Sequence, residues 1–215
     1  MRPLVVLRPE PGASRTAAKA EAMGLQVKLI PLFAVVPLVW SAPDPAEFDG
    51  LILTSANAVR HGGEELAKLK GLPVYAVGQA TAALARAAGF DVVSAGAGGS
   101  RDMALPEGKR LLHLAGVDHR QVGAATAIAI YEARPVDDPE GIAGLPDSVI
   151  AVHSARAGRR LAELVDGRRQ LRIAAISRAA ADACGSGWKL VEAAFQPNDA
   201  ALLALAARLC ESPGS

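Results

Sequence analysis

The chain has 215 residues, 51% of them hydrophobic but only 4% aromatic, and its 23 Lys and Arg against 22 Asp and Glu leave a net charge of +1. That balance removes the electrostatic basis for nonspecific nucleic-acid binding, and no apolar run approaches the ~18 residues of a membrane span. The N-terminus, with Arg8, Glu10 and prolines, is unlike a signal peptide, and Cys184 and Cys210 lack CxxC spacing, so a soluble, cytoplasmic protein without a disulfide framework or thiolate zinc site is expected.

In chain order, the apolar run Leu4 to Leu7 is followed by a Pro/Gly turn, an Ala-rich stretch from about Ala13 to Met23, Gly24 as a stop, and a second run at Val27 to Pro31. This reads as strand, helix, strand. The pattern recurs with a strand at Leu51 to Leu53, a helix from about Asn57 to Leu69, a strand at Val74 to Val77, a helix from about Ala80 to Ala88 closed by Gly89, and a strand at Val92 to Ser94. GAGGS, residues 96–100, reads as a turn. The second half repeats the layout: Leu111 to Leu114, a helix after Gln121, an apolar run through Ile130, then Val149 to Val152, a helix, Ile173 to Ile176, a helix, and Val191 to Phe195. Short strands alternating with helices imply βαβ crossovers and mostly parallel sheets, hence an α/β fold.

Ser55 follows LILT and lies 23 residues before Gly78; Ser154 follows VIAVH and lies 23 before Ser177, the two pairs being 99 residues apart. This self-similarity predicts two related halves, although βα pairs of standard length give similar spacings without duplication. Two proline-bounded stretches, PLFAVVPLVW (residues 31–40) and AIYEARPVDDPEG (residues 129–141), interrupt the pattern at corresponding places and read as extended connectors. The functional site is expected in the cleft between the halves.

Ligands in parallel α/β sheets collect beyond the carboxyl ends of the strands. The loops there offer Arg8, then Thr54, Ser55 and Asn57, then Gly78 and Thr81, then Gly116 to Asp118, then Ser154, Ala155 and Arg156, then Ser177. Small and hydroxyl residues let a ligand reach backbone N–H groups at helix starts, which favour anions. The same residues are also ordinary helix N-caps. The chain lacks a GxGxxG after the first strand, a GxxxxGK[ST] loop and a GxSxG elbow, which leaves nucleotide and hydrolase readings without their parts. His113 and His119 flank Asp118, but their spacing does not put both on one helical face, so no metal site is read there; His153, within a strand run, reads as an interior residue. Tyr131 lies in the second connector, where a protonated phenol would serve as a hydrogen-bond donor or weak acid, or its ring would cover a junction.

Taken together, LRPEPGASRTAAKAEAMGLQV, FDGLILTSANAV, VYAVGQATAALARAAGFDVV, HLAGVDHR, IYEARPV and the pairing of VIAVHSARAG with IAAISRAAADAC resemble the uroporphyrinogen-III synthase family over nearly the whole chain. The resemblance implies two flavodoxin-like parallel-sheet domains joined by a two-stranded connector, with the substrate in the cleft between them. Residues 1–32 plus 139–215 would form the first domain, 38–129 the second, and 33–37 and 130–138 the connector strands; periodicity alone would cut near Ser100. It implies conversion of hydroxymethylbilane, a linear tetrapyrrole, to uroporphyrinogen III in haem biosynthesis, with loss of water, inversion of ring D, and no metal or cofactor.

Matched residue by residue, Tyr131 falls on the family's catalytic tyrosine and Thr81 on its helix-start threonine. Thr54, Ser55 and Asn57 match the TS-x-N/R loop, and Ser154 begins the equivalent loop of the other half. Ala180 stands where some members have a second threonine. The expected substrate-binding set is Arg8, Thr54, Ser55, Asn57, Gly78, Thr81, Gly116, Arg120, Ser154, Ala155 and Ser177, gripping the substrate's carboxylates by local donors. The expected partners are the tetrapyrrole and, transiently, hydroxymethylbilane synthase, for a monomer with no nucleic-acid or membrane partner. A non-catalytic two-domain α/β ligand-binding or sensor protein would use the same loops, and a Rossmann-type nucleotide enzyme is a further alternative that lacks its glycine fingerprint.

Overall fold

The computed structural model describes residues 1–96 and 105–211; the turn expected at GAGGS lies, beyond Gly96, outside them. In chain order the elements are β1 (Leu4–Val6), α1 (Gly12–Ala22), β2 (Val27–Leu29), β3 (Phe33–Pro37), β4 (Gly50–Leu53), α2 (Ala56–His61), α3 (Gly63–Ala67), β5 (Val74–Val77), α4 (Gln79–Ala87), β6 (Val92–Gly96), β7 (Leu111–Gly116), β8 (Thr126–Pro135), β9 (Val149–Val152), α5 (Ala155–Leu164), β10 (Arg172–Ala175), α6 (Arg178–Ala183), β11 (Leu190–Ala193) and α7 (Asp199–Glu211). They divide into two compact units: Met1–Ala34 with Pro135–Ser215, and Val35–Arg134.

The first unit holds a five-stranded sheet in the order β11-β10-β9-β1-β2, all pairs parallel. Counted within the unit this is the flavodoxin order 2-1-3-4-5. Central strands of a parallel sheet are covered on both faces and read as unbroken apolar runs. β1 (LVV) and β9 (VIAV) are buried at every residue, whereas the outer strands β2 (VKL) and β11 (LVEA) carry a charged residue and are partly or fully exposed. One face packs Leu4, Val6, Val149 and Ala151 against Leu202, Leu203, Ala206 and Leu209 of α7. That helix was not foreseen, although its start is legible: Asn198 Oδ1 accepts from the Ala201 N–H at 2.9 Å, ahead of an Ala/Leu run.

The second unit holds a six-stranded sheet, β3-β8-β7-β4-β5-β6. The pairs from β8 to β6 are parallel, and their order within the unit is 3-2-1-4-5. The two sheets are nonetheless one arrangement. The 99-residue offset carries β4, β5 and β6 onto β9, β10 and β11, and β7 and β8 then take the places of β1 and β2. The pair that leads the chain in one unit ends it in the other, so the units are circular permutations of each other, with β3 added beyond β8 in the second.

The single helix expected from about Asn57 to Leu69 is two, α2 and α3. Gly62 lies between them, and α3 restarts at Gly63 with φ +60°, a left-handed backbone that side chains other than glycine rarely adopt. The helix expected after Gln121 is absent. Only nine residues separate Gly116 from Thr126, and the Gln121 amide instead donates to the carbonyls of Gly123 and Ala125, tying the segment into a turn. Its Val122 and Ala125 cover Ile52 and Leu111 on one face of the sheet; on the other, Leu51, Leu53, Leu112 and Leu114 pack with Leu66, Leu69, Ala82 and Ala85.

Candidate functional site

In a doubly wound sheet the crevice forms where the strand order reverses, because loops leaving the two adjacent strands run in opposite directions. In the second unit that point lies between β4 and β7. A pocket of about 260 Å³ sits there, lined by Thr54 after β4, the Gly116 to Arg120 loop after β7, and Tyr131 and Ala133 of β8. Its size is below the roughly 300–1,000 Å³ of pockets that engulf a drug-sized ligand, so it fits one ring of a larger molecule.

Tyr131 reaches this pocket through an irregularity. Along β7 and β8 the register runs Ala115 to Ala129 and then Gly116 to Tyr131, leaving Ile130 as an extra residue; such bulges re-aim the side chain that follows. Ile130 is fully buried and Tyr131 half-buried. The tyrosine ring lies on Gly116, where a Cβ would fall 2.6 Å from its Cε2, so a glycine is required at that point. The His61 ring stands 6.1 Å from that of Tyr131, and burial, followed by Arg60, lowers the His61 pKa. Among the described residues the Tyr131 hydroxyl is taken up by no hydrogen-bond partner.

Thr54 Oγ1 lies 2.9 Å from His113 Nε2. His113 is 1% exposed, and its Nδ1 is buried with no partner among the described residues. Burial first, and the neighbouring His119 second, pull its pKa down to about 4, so the imidazole is neutral at pH 7. His119 stands edge-on to it at 5.6 Å, with Nδ1 3.0 Å from the Gly116 carbonyl. Among the described residues no group of three His, Cys, Asp or Glu side chains could hold a metal ion.

The reversal point of the first unit lies between β1 and β9 and also carries a pocket, about 390 Å³, lined by Arg8, Arg15, Lys19, His153 and the Pro197 to Asp199 turn. Here a carboxylate gathers the nearby donors. Asp199 accepts from Arg8 (3.2 Å), Thr16 (3.3 Å) and Lys19 (3.3 Å), and His153 Nε2 approaches it at 3.3 Å. That last approach is close but off-axis, since neither His153 nitrogen makes an aligned hydrogen bond; Arg8 and Lys19 are the firmer partners. The His153 imidazole, with Arg8 and Lys19 beside it, holds the Asp199 carboxyl well below the usual carboxylate range against the opposing effect of burial.

The expected site residues therefore divide. Thr54, Gly116, Arg120 and Tyr131 line one pocket. Ser55 and Asn57 open α2 beside it, Ser55 Oγ accepting from the Asn57 N–H at 3.2 Å. Gly78 caps α4, whose first turn carries the buried Thr81. In the first unit, Ser154 caps α5, which Ala155 begins, and Ser177 caps α6. The Ser177 hydroxyl takes the N–H of Ala180 at 3.3 Å, so at the missing threonine the backbone donor is already engaged. Sequence reasoning missed Asp199, and weighed His113 and His119 only as metal ligands.

The family model described as uroporphyrinogen-III synthase HemD matches residues 14–204. A uroporphyrinogen-III synthetase structure from Helicobacter pylori is 18% identical, with a TM-score of 0.65 over 97% of this chain and 100% of that one. A mutant uroporphyrinogen III synthase from Thermus thermophilus is 19% identical, with a TM-score of 0.50 over 96% and 98%. At these identities the structures speak for the two-domain α/β fold alone. No curated protein matches the chain.

Proposed function

Because the chain belongs to the uroporphyrinogen-III synthase family, lyases of haem biosynthesis, we propose that it closes hydroxymethylbilane to uroporphyrinogen III and that the terminal ring reacts in the pocket at the β4 and β7 ends. The reaction releases one water. The nitrogen of the terminal pyrrole that carries the hydroxymethyl group pushes out its hydroxyl as the C–O bond breaks, and the methylene of the resulting azafulvene cation is attacked by the substituted carbon of ring D, at the other end of the chain. The spiro intermediate so formed reopens by breaking the original bond between ring D and its bridging methylene, and that methylene then bonds to the unsubstituted carbon of ring D, which loses its proton, to give the inverted ring.

The observation that carries this reading is Tyr131, seated on Gly116 with its hydroxyl uncommitted at the mouth of a pocket sized for one pyrrole. A phenol is protonated at neutral pH and can donate to a departing hydroxyl, a general-acid contribution of about 10²–10⁴ in rate. Without orientation the chain would close without inversion, so holding ring D is the larger task. The substrate's carboxylates call for donors: the Thr54 hydroxyl, Arg120, and N–H groups at the starts of α2 and α4 supply charge-assisted hydrogen bonds of about 1.5–3 kcal/mol each.

In this reading the protein is a cytoplasmic, monomeric hydro-lyase that needs no cofactor and receives its substrate from hydroxymethylbilane synthase. Both free cysteines are buried, in keeping with a reducing compartment. The deciding experiment feeds porphobilinogen and hydroxymethylbilane synthase to the protein and separates the products. Isomer III is expected; isomer I alone would leave a ligand-binding protein without catalysis.

A further inference from the structure

We infer that His113 is a positioning residue, donating from Nε2 to Thr54 Oγ1 and so leaving the Thr54 hydroxyl as a fixed hydrogen-bond donor to substrate carboxylate oxygens. This rests on the function proposed above, because only then does the pocket receive a ligand rich in acceptors and poor in donors.

His113 occupies a middle position of β7, paired in register with Ile52 of β4, where the neighbouring strand residues Leu112 and Leu114 are fully buried aliphatics. An imidazole there does nothing for packing that a leucine would not do. It leaves one ring nitrogen with no partner among the described residues, and a buried polar group left unsatisfied in a native fold calls for an explanation. Its other nitrogen touches one side chain, Thr54, which lines the pocket.

A neutral imidazole has one N–H and one bare nitrogen, so the contact admits two arrangements. If Nδ1 held the proton, an N–H donor would be buried with nothing to accept from it, the rarer kind of orphan. With the proton on Nε2, the orphan is a lone pair and the 2.9 Å contact is a donation to Thr54. A hydroxyl that already accepts from one side turns its own hydrogen elsewhere, and the free side of Thr54 is the pocket. Carboxylates accept and cannot donate, so a threonine locked as donor selects for them. His119 does not compete for the same proton, because its Nδ1 lies on the Gly116 carbonyl at 3.0 Å, which can only accept. Burial keeps His113 uncharged at neutral pH, so the direction of donation is set by the tautomer alone.

Two measurements on the full-length protein test this. Nitrogen-15 NMR of the histidine side chains at neutral pH, with the His113 signals identified by their loss in His113→Gln, should show the proton on Nε2; a proton on Nδ1 overturns the inference, and does so whether or not the protein turns out to be a synthase. In the isomer-III assay, His113→Leu should raise KM about tenfold, the low end of what a hydrogen bond to a charged group confers, with little change in kcat. His113→Gln, whose amide can still donate to Thr54, should recover most of that loss. In a Thr54→Val background His113→Leu should add nothing. Losses that add across the pair, or a His113→Gln as impaired as His113→Leu while both melt like the parent, would show that His113 does not act through Thr54. Should the parent make no isomer III, the proposed function falls, and the tautomer alone decides the His113 contact.

Discussion

The two units carry one sheet in two chain orders, yet the points where their strand orders reverse have opposite chemistry. At the end of β1 and β9, Asp199 gathers Arg8, Thr16 and Lys19, so the carboxylate is taken up within the fold. At the end of β4 and β7, Thr54 and Tyr131 face a pocket with neutral partners behind them, and the donor capacity is left over. The position is equivalent on the two sheets: the 99-residue offset takes Thr54 to His153, one serving a pocket with unspent donors and the other an ion cluster. A fold supplies the crevice, and the side chains at its rim decide whether it is closed internally or held open for a ligand.

The sharpest way to break this contrast is to remove the unspent donor. Tyr131→Phe should lower turnover by at least about 100-fold with KM changed less than about threefold; unchanged turnover in the isomer assay would take Tyr131 out of the chemistry. In the first unit the corresponding change should act on stability instead. Asp199→Asn leaves Arg8 and Lys19 without their carboxylate, and because Arg8 is about a third exposed the cost should fall to about 2 kcal/mol, below the 3–5 kcal/mol of a fully buried pair. Denaturant titration would read it. Turnover per folded molecule should stay near that of the parent, and a large loss would mean that the ion cluster takes part in catalysis.

Acid sharpens the comparison further. Because the folded-state pKa of His113 is about 4 against an ordinary 6.5, the unfolded chain takes up a proton that the folded chain refuses. Stability is therefore indifferent to this group above pH 6.5 and falls as the pH drops from 6.5 towards 4, by about 1–2 kcal/mol at pH 5. The Asp199 carboxyl, held low, loses its contribution only as acid approaches and passes the ordinary carboxylate value, so the interval from pH 7 to pH 5 isolates the histidines. His113→Gln should flatten the decline there; an undiminished decline would assign it elsewhere, His61 included. Smallest and most even should be the caps. Ser55→Ala and Ser154→Ala each remove one N-cap acceptor and should cost about 1 kcal/mol, alike in both units, as the shared architecture requires.

The strands were legible because central parallel strands must be apolar: LVV, GLIL and VIAV have no face to show to water, and RIAA is apolar after Arg172, whose buried guanidinium pairs with Asp147. The repeated serine and glycine spacing was legible as well, and Ser55 and Gly78 prove to cap α2 and α4 as Ser154 and Ser177 cap α5 and α6. The permutation was hidden, because strand order is a tertiary property that adjacent residues do not encode. The break at Gly63 needed a backbone angle that only the folded chain reveals. At the site, loop position pointed to Thr54 and Gly116, and connector position together with the resemblance pointed to Tyr131; what re-aims that tyrosine, a one-residue slip beside Ile130, leaves no local pattern. His113 escaped because it was weighed only with His119 for a metal, while its worth lies in a partner 59 positions away.

The permuted order also sets a timetable for synthesis. β1 is a central strand, yet one of its two neighbours is β9, so Leu4 waits for Val149 while the whole middle of the chain leaves the ribosome. At roughly 5–20 residues per second that is on the order of ten seconds during which an all-apolar strand has one side unpaired. In the second unit, contiguous in sequence, the wait is shorter, since Leu51 of the central strand β4 finds its partner at Leu112.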